Sequence, residues 1–224
     1  MKKIHILLLS TVLFITSCTE VLDKQPLDII SDASVWSDPA LIDSYLLECY
    51  AEMVLSWETQ YNASGPGSGF YVWFPMNYQL TIADEAGRGW TGVVKSKNIG
   101  PSGGKVEWWG YPTIRRLNVF LEQLEPMDLP ASYKSERLAE ARYLRAHAYF
   151  NLVKRYGGVP LITRVQQLDD SEDELYPARN KESEIYDFII SELDDIKNDL
   201  VGSQAGRATK WAAVALKSRA AMYA

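Results

Sequence analysis

From residue 111 onward the apolar residues of this chain recur at three- and four-residue steps, in four runs separated by short breaks. That period is the turn of an α-helix and excludes the two-residue alternation of a half-buried strand. The runs come in pairs, roughly 113–124 with 136–156 and 181–200 with 209–224. Turn-forming residues from Pro126 to Ser132 separate the first two. Gly157-Gly158 and then Pro160 stop the second, because glycine closes a helix in the left-handed region and proline cannot continue one. A further helix is expected after Asp38, an N-cap residue followed by Pro39 at the first helical position, with Leu41, Tyr45, Leu46, Cys49, Tyr50 and Met53 along one face. Paired amphipathic helices at intervals of several tens of residues predict a mainly α fold of tetratricopeptide-like repeats, in which each pair needs a stacked neighbour to cover its faces.

On the helix expected over 136–156, Glu136, Glu140, His147, Asn151 and Lys154 fall on one narrow polar stripe, opposite Leu138, Ala141, Ala148, Tyr149, Leu152 and Val153. Arg142 and Arg145 lie on the apolar side, where a desolvated guanidinium needs a carboxylate or carbonyl partner. The expectation is a buried ion-pair network, with Asp84 and Glu85 as the partners. The last helix carries Trp211, Ala215 and Met222 on one side, Leu216, Ala220 and Tyr223 on another, and only a narrow strip at Lys210 and Lys217. Such a helix should be packed on two sides. With no polar capping helix before Ala224, residues 37–224 read as the amino-terminal part of a longer repeat domain.

The amino terminus supplies the compartment. Lys2 and Lys3 precede an apolar run from Ile4 to Ile15, then Thr16, Ser17 and Cys18. The run is shorter than the roughly 20 residues that span a bilayer, and Ile15-Thr16-Ser17-Cys18 has the aliphatic, small, small, Cys form of a lipobox. Residues 1–17 therefore read as a lipoprotein signal peptide and Cys18 as the lipidated terminus, holding the domain at a membrane surface. Residues 18–36, with Pro26 and little periodicity, read as an extended tether. Loss of Lys2 and Lys3 moves the net charge from −6 to −8, which argues against nucleic acid as a partner. Cys49 is then the sole cysteine besides the anchor, so no disulfide framework is available, and its place among apolar residues marks it as core.

Residues 57–111 have a different character: this segment holds ten of the 14 glycines and five of the seven tryptophans. Loops beyond about 15 residues are uncommon unless functional or disordered, and a segment this aromatic is a poor candidate for disorder. It reads as a binding surface. The C–H face of a sugar stacks on an aromatic ring, which makes Trp73, Trp90, Trp108 and Trp109 candidate platforms, against the alternative that each fills the core. Trp90, among Gly87, Gly89 and Gly92, is the best placed for an exposed turn. Catalysis finds little support. After the signal peptide His147 is the sole histidine, so no metal cluster or Ser-His-Asp set can be assembled, and no phosphate-cradling loop is present. Asp84 and Glu85, being adjacent, cannot easily flank one glycosidic bond from opposed positions. A binding protein without metal or cofactor is expected, the competing class being a helical-repeat scaffold that grips a protein or peptide.

Several stretches together resemble the SusD/RagB family of outer-membrane nutrient-binding lipoproteins. One is Ala139-Glu140-Ala141-Arg142-Tyr143-Leu144-Arg145-Ala146, continuing through Tyr149-Phe150-Asn151-Leu152 to Tyr156-Gly157-Gly158-Val159-Pro160-Leu161. Another is Arg207-Ala208-Thr209-Lys210-Trp211-Ala212-Ala213 with Ala215-Leu216 and Arg219-Ala220, ending at Tyr223. The lipobox, Leu22-Asp23 with Pro26, and Val35-Trp36 follow in the family's order. The resemblance implies a helical-repeat scaffold at the cell surface, capture of an oligosaccharide or, in some branches, a peptide, and delivery to a TonB-dependent outer-membrane transporter. It also implies a stacking aromatic after the Asp84-Glu85 pair, a place that Trp90 fits. Arg88 stands where a second aromatic is expected, which points away from a starch-like ligand and toward a substituted or acidic sugar.

Overall fold

Asp38 starts the first helix, α1 (Pro39–Glu58): its Oδ1 accepts from the Ala40 amide at 2.8 Å and its carbonyl from the Leu41 and Ile42 amides. The computed structural model describes residues 35–58, 109–202 and 205–224, and the chain divides into two units, Met1–Val35 and Trp36–Ala224. Ile42, Leu46, Cys49 and Met53 form the buried face of α1 at three- and four-residue steps. Burial pushes the Cys49 thiol up to about 12, as befits a core residue. Trp36, the last residue of the expected tether, is instead buried in the second unit, its ring 5.2 Å from Tyr45 and 5.8 Å from Phe120.

Five helices follow: α2 (Tyr111–Leu124), α3 (Ala131–Tyr156), the single turn α4 (Glu172–Leu175), α5 (Glu182–Ile196) and α6 (Lys210–Tyr223). Among the described residues there is no strand. α3 is the hub, packing against α1, α2, α5 and α6, while α5 and α6 also pack on each other. It begins five residues ahead of the expected Glu136, because Pro130 fixes the entry and its carbonyl accepts from the Lys134 amide at 3.0 Å. At its end the two glycines differ in purpose. Gly157 takes a positive φ of 66° and donates to the Val153 carbonyl. Gly158 makes room: a Cβ there would lie 2.2 Å from the Asn180 carbonyl oxygen, where the chain returns to pair its Asn180 amide with the Val159 carbonyl. Thr209 caps α6 by accepting from the Ala212 amide.

Two ion clusters fix α3 in place. Arg142 and Arg145 converge on Glu192 of α5, at 2.7 and 2.8 Å, and Arg145 also donates to Asn118 Oδ1 and the Thr163 carbonyl. Burial alone would raise the Glu192 carboxyl, but the two guanidiniums hold it below the usual carboxylate range. Glu192 is thus the partner of these arginines, and Asp84 and Glu85 lie outside the described residues.

The second cluster departs from expectation. Glu140 and Asn151, expected on a polar stripe, are both 1% exposed. Glu140 accepts from Arg137 at 2.6 Å, from Arg207 at 3.0 Å and from the Tyr50 hydroxyl at 2.9 Å, and Arg137 also donates to Asp43 at 2.6 Å. Because α1 and the residues before α6 bring counter-charges to this face, its polarity reflects partners rather than solvent. α6 is covered on one side. Ala213, Leu216 and Ala220 are buried, but Trp211 and Met222 are 74% and 75% exposed, so among the described residues one side of this helix is packed and the other is open.

Candidate functional site

Of the residues singled out for binding, Trp73, Arg88, Trp90 and Trp108 lie outside the described residues, as does Cys18. Trp109 is described. It stands immediately ahead of α2, 47% exposed, with its ring 5.1 Å from that of Tyr111 and 5.2 Å, edge-on, from that of Tyr156. The three rings form an aromatic shelf at the junction of the start of α2 and the end of α3. Tyr111 and Tyr156 were not among the residues the sequence reading selected. The available signal was their position, one directly after Trp108-Trp109-Gly110 and the other directly before Gly157-Gly158.

The shelf rests on a hydrogen-bonded support. The Tyr111 hydroxyl donates to the Pro160 carbonyl at 2.7 Å, which sets the ring's orientation, and burial pushes its phenol pKa upward. Residues 160–166, neither helix nor strand, have their backbone groups engaged by side chains instead. Tyr149 donates to the Ile162 carbonyl and accepts from the Ile162 amide, at 2.9 and 2.7 Å. Asn118 donates to the carbonyls of Ile162 and Arg164, both at 3.0 Å, while Glu122 accepts from the Val165 amide at 2.6 Å. Asn180 accepts from the Leu161 amide. Arg145, reaching Thr163 and Asn118, ties this strap to the Glu192 cluster, so the paired arginines support the shelf as well as the helix packing.

Burial, reinforced by the charges of Lys154, Arg219 and Arg155, lowers His147 to about 4, so at neutral pH it is an uncharged ring stacked 6.2 Å from Tyr143. It is poorly tuned as a general base near pH 7. Among the described residues no group of three His, Cys, Asp or Glu side chains could hold a metal ion, and no helix is long and apolar enough to cross a membrane. Trp109 presents a half-exposed ring backed by Tyr111 and Tyr156, and such a ring suits stacking against a weakly polar ring.

Comparison with known proteins points to one family. A SusD-like family model described as starch-binding and associating with the outer membrane matches residues 103–222, 120 of the 224 residues. A SusD-like protein of Formosa agariphila is 27% identical over 99% of this chain and 42% of its own length. The starch-binding protein SusD of Bacteroides thetaiotaomicron is 28% identical over 92% of this chain and 38% of its own. The chain thus spans about two fifths of the length of these curated relatives. Among solved structures, a SusD-like protein of Bacteroides fragilis superposes with a TM-score of 0.58 at 31% identity, covering 89% of this chain and 38% of the other. A laminarin-binding SusD-like protein gives a TM-score of 0.60 over 84% of this chain and 40% of the other, and at 22% identity it speaks for the fold alone. The chain belongs to the SusD/RagB family.

Proposed function

We propose that this chain is part of a glycan-binding lipoprotein of the outer-membrane surface, anchored through Cys18, which captures an oligosaccharide and passes it to a TonB-dependent transporter. The observation that carries the reading is the half-exposed Trp109, packed on Tyr111 and Tyr156, in a chain of a family described as starch-binding. The role is binding rather than catalysis, in keeping with the neutral His147 and with the family's description. Aromatic platforms bind sugars without covalent chemistry, and each stacked ring contributes on the order of 1–3 kcal/mol by analogy with base stacking. Trp73, Arg88, Trp90 and Trp108 are the additional contacts proposed, with Trp90 the principal one.

A glycan microarray probed with the full chain tests this directly. Retention on a defined set of oligosaccharides is expected, weakened by Trp90→Ala; uniform absence of signal contradicts it. The open side of α6, with Trp211 and Met222 exposed, favours a second reading in which the repeat helices grip a protein or peptide. Under that reading Trp211→Ser abolishes partner capture and sugars have no effect. Anchoring is tested separately. Cys18→Ala should abolish palmitate incorporation, and equal labelling of the variant removes the anchor.

A further inference from the structure

A cavity of about 450 Å³ opens between the first turn of α2 and the strap at 162–166. Tyr111, Pro112, Ile114 and Ile162 supply its apolar lining, and Arg115, Arg164 and Gln166 its polar lining. The volume lies within the usual range of small-ligand pockets, roughly 300–1,000 Å³. Its walls are preorganised: Tyr111 is fixed by Pro160, and Ile162 is held at both its amide and its carbonyl by Tyr149. A ligand entering it therefore has little ordering of the protein to offset.

The hydrogen-bonding groups left over define what fits. Arg115 uses Nη1 on the Gln166 carbonyl at 2.8 Å, and among the described residues its Nε and Nη2 have no further partner. Gln166 uses Nε2 on the carbonyls of Glu174 and Leu175, which among the described residues leaves its Oε1 as an acceptor. One donor group and one acceptor thus border an apolar pocket, which matches a ring with a C–H face and hydroxyls at its edge. An anion is disfavoured. Arg164 is occupied by Asp170 at 2.7 Å and Glu174 at 3.3 Å, and Glu122 lies beside it, so the local charge is not positive.

We infer that this pocket is a subsite for one uncharged sugar ring, whose C–H face packs on Tyr111 and Ile162 while its hydroxyls accept from Arg115 and donate to Gln166 Oε1. The inference rests on the glycan-binding reading and gives it a second contact point. Tyr111 lines the pocket and touches Trp109, so an oligosaccharide seated here continues directly onto the shelf.

The test is protein-observed NMR on the full chain with ¹³C-labelled Ile methyls and ¹⁵N-labelled Arg, titrated with maltose, laminaribiose, cellobiose and, as the charged comparison, digalacturonate. The expected result is that at least one neutral disaccharide saturably shifts Ile114, Ile162 and Arg115 Nε, with digalacturonate weaker at the same signals. Ile162→Phe, which fills the cavity from a half-buried position, should weaken the effect about tenfold or more. Arg115→Leu, at an exposed position, should weaken it about fivefold through lost hydrogen bonds and serves if the Phe variant does not fold. Sugar-induced shifts confined to other residues overturn the subsite while leaving glycan binding intact. Silence of every signal with every sugar removes both, and tighter binding of digalacturonate overturns the assignment of an uncharged ring.

Discussion

The two ion clusters of α3 sit on different faces of one helix, and the one around Glu140 inverts what its sequence pattern suggests. Arg142 and Arg145, which stand among apolar residues, are 30% and 8% exposed at their side chains, and Asp195, a secondary partner of Arg142, is 61% exposed. Glu140, which stands on a polar stripe, is 1% exposed, and its partners Arg137 and Arg207 are each 4% exposed at their side chains. In a helix packed on several sides, polar residues gather where a neighbour supplies counter-charges, and solvent is only one such neighbour. Breaking a buried pair leaves an uncompensated charge, whereas an exposed pair is replaced by water at little cost.

That contrast is open to measurement. Glu140→Ala removes the buried carboxylate that Arg137 and Arg207 share, leaving Asp43 as their common acidic partner, and should have the largest effect, a loss of about 3–5 kcal/mol of unfolding free energy in urea titrations. A loss below about 1 kcal/mol would mean that water reaches this cluster. The same face should also give the protein a pH response. His147 has an ordinary value of 6.5 and falls to about 4 in the fold, so between those values the unfolded chain holds a proton that the folded chain does not. The stability contributed by the neutral ring is complete above pH 6.5 and declines as pH falls toward about 4. His147→Gln should flatten the wild-type slope in that window by nearly one proton; identical slopes would place the histidine in solvent.

The other face should respond more weakly. Arg145→Ala removes charge-assisted bonds to Glu192 and Asn118 and should cost about 1.5–3 kcal/mol. It should also loosen the strap, visible as faster amide exchange at Ile162 and Val165, whose amides are bonded by Tyr149 and Glu122. Arg142→Ala, at the more exposed edge, should change stability by no more than about 1 kcal/mol. If Arg142→Ala and Glu140→Ala proved equal, the difference between the two faces would have no energetic meaning.

Helix existence and pairing were legible because they follow from local period and from stop signals such as Gly157-Gly158 and Asp38-Pro39. The arginines at 142 and 145 were legible as needing partners, since charge on an apolar face demands one. The partner itself was not. Glu192 lies 47 residues beyond Arg145, and Asp43 lies 94 residues before Arg137, and helical spacing carries no information about contacts at that range. Trp109 was legible as an unusual aromatic, but the shelf was not, since it forms only when the end of α3 returns to the start of α2. The strap at 160–166 escaped for a related reason: side chains from α2 and α3 satisfy its backbone, so it has no periodicity of its own.

Calorimetric titration of Trp109→Ala with the oligosaccharide selected on the array, beside a thermal melt of the same protein, tests most directly whether the aromatic shelf binds sugar. A half-exposed platform should leave the melting temperature within about 4 °C of wild type and weaken binding by roughly 5- to 150-fold, the equivalent of about 1–3 kcal/mol. A melting temperature that drops sharply, with the remaining folded protein binding at full affinity, would make Trp109 a packing residue and contradict the shelf as a binding surface.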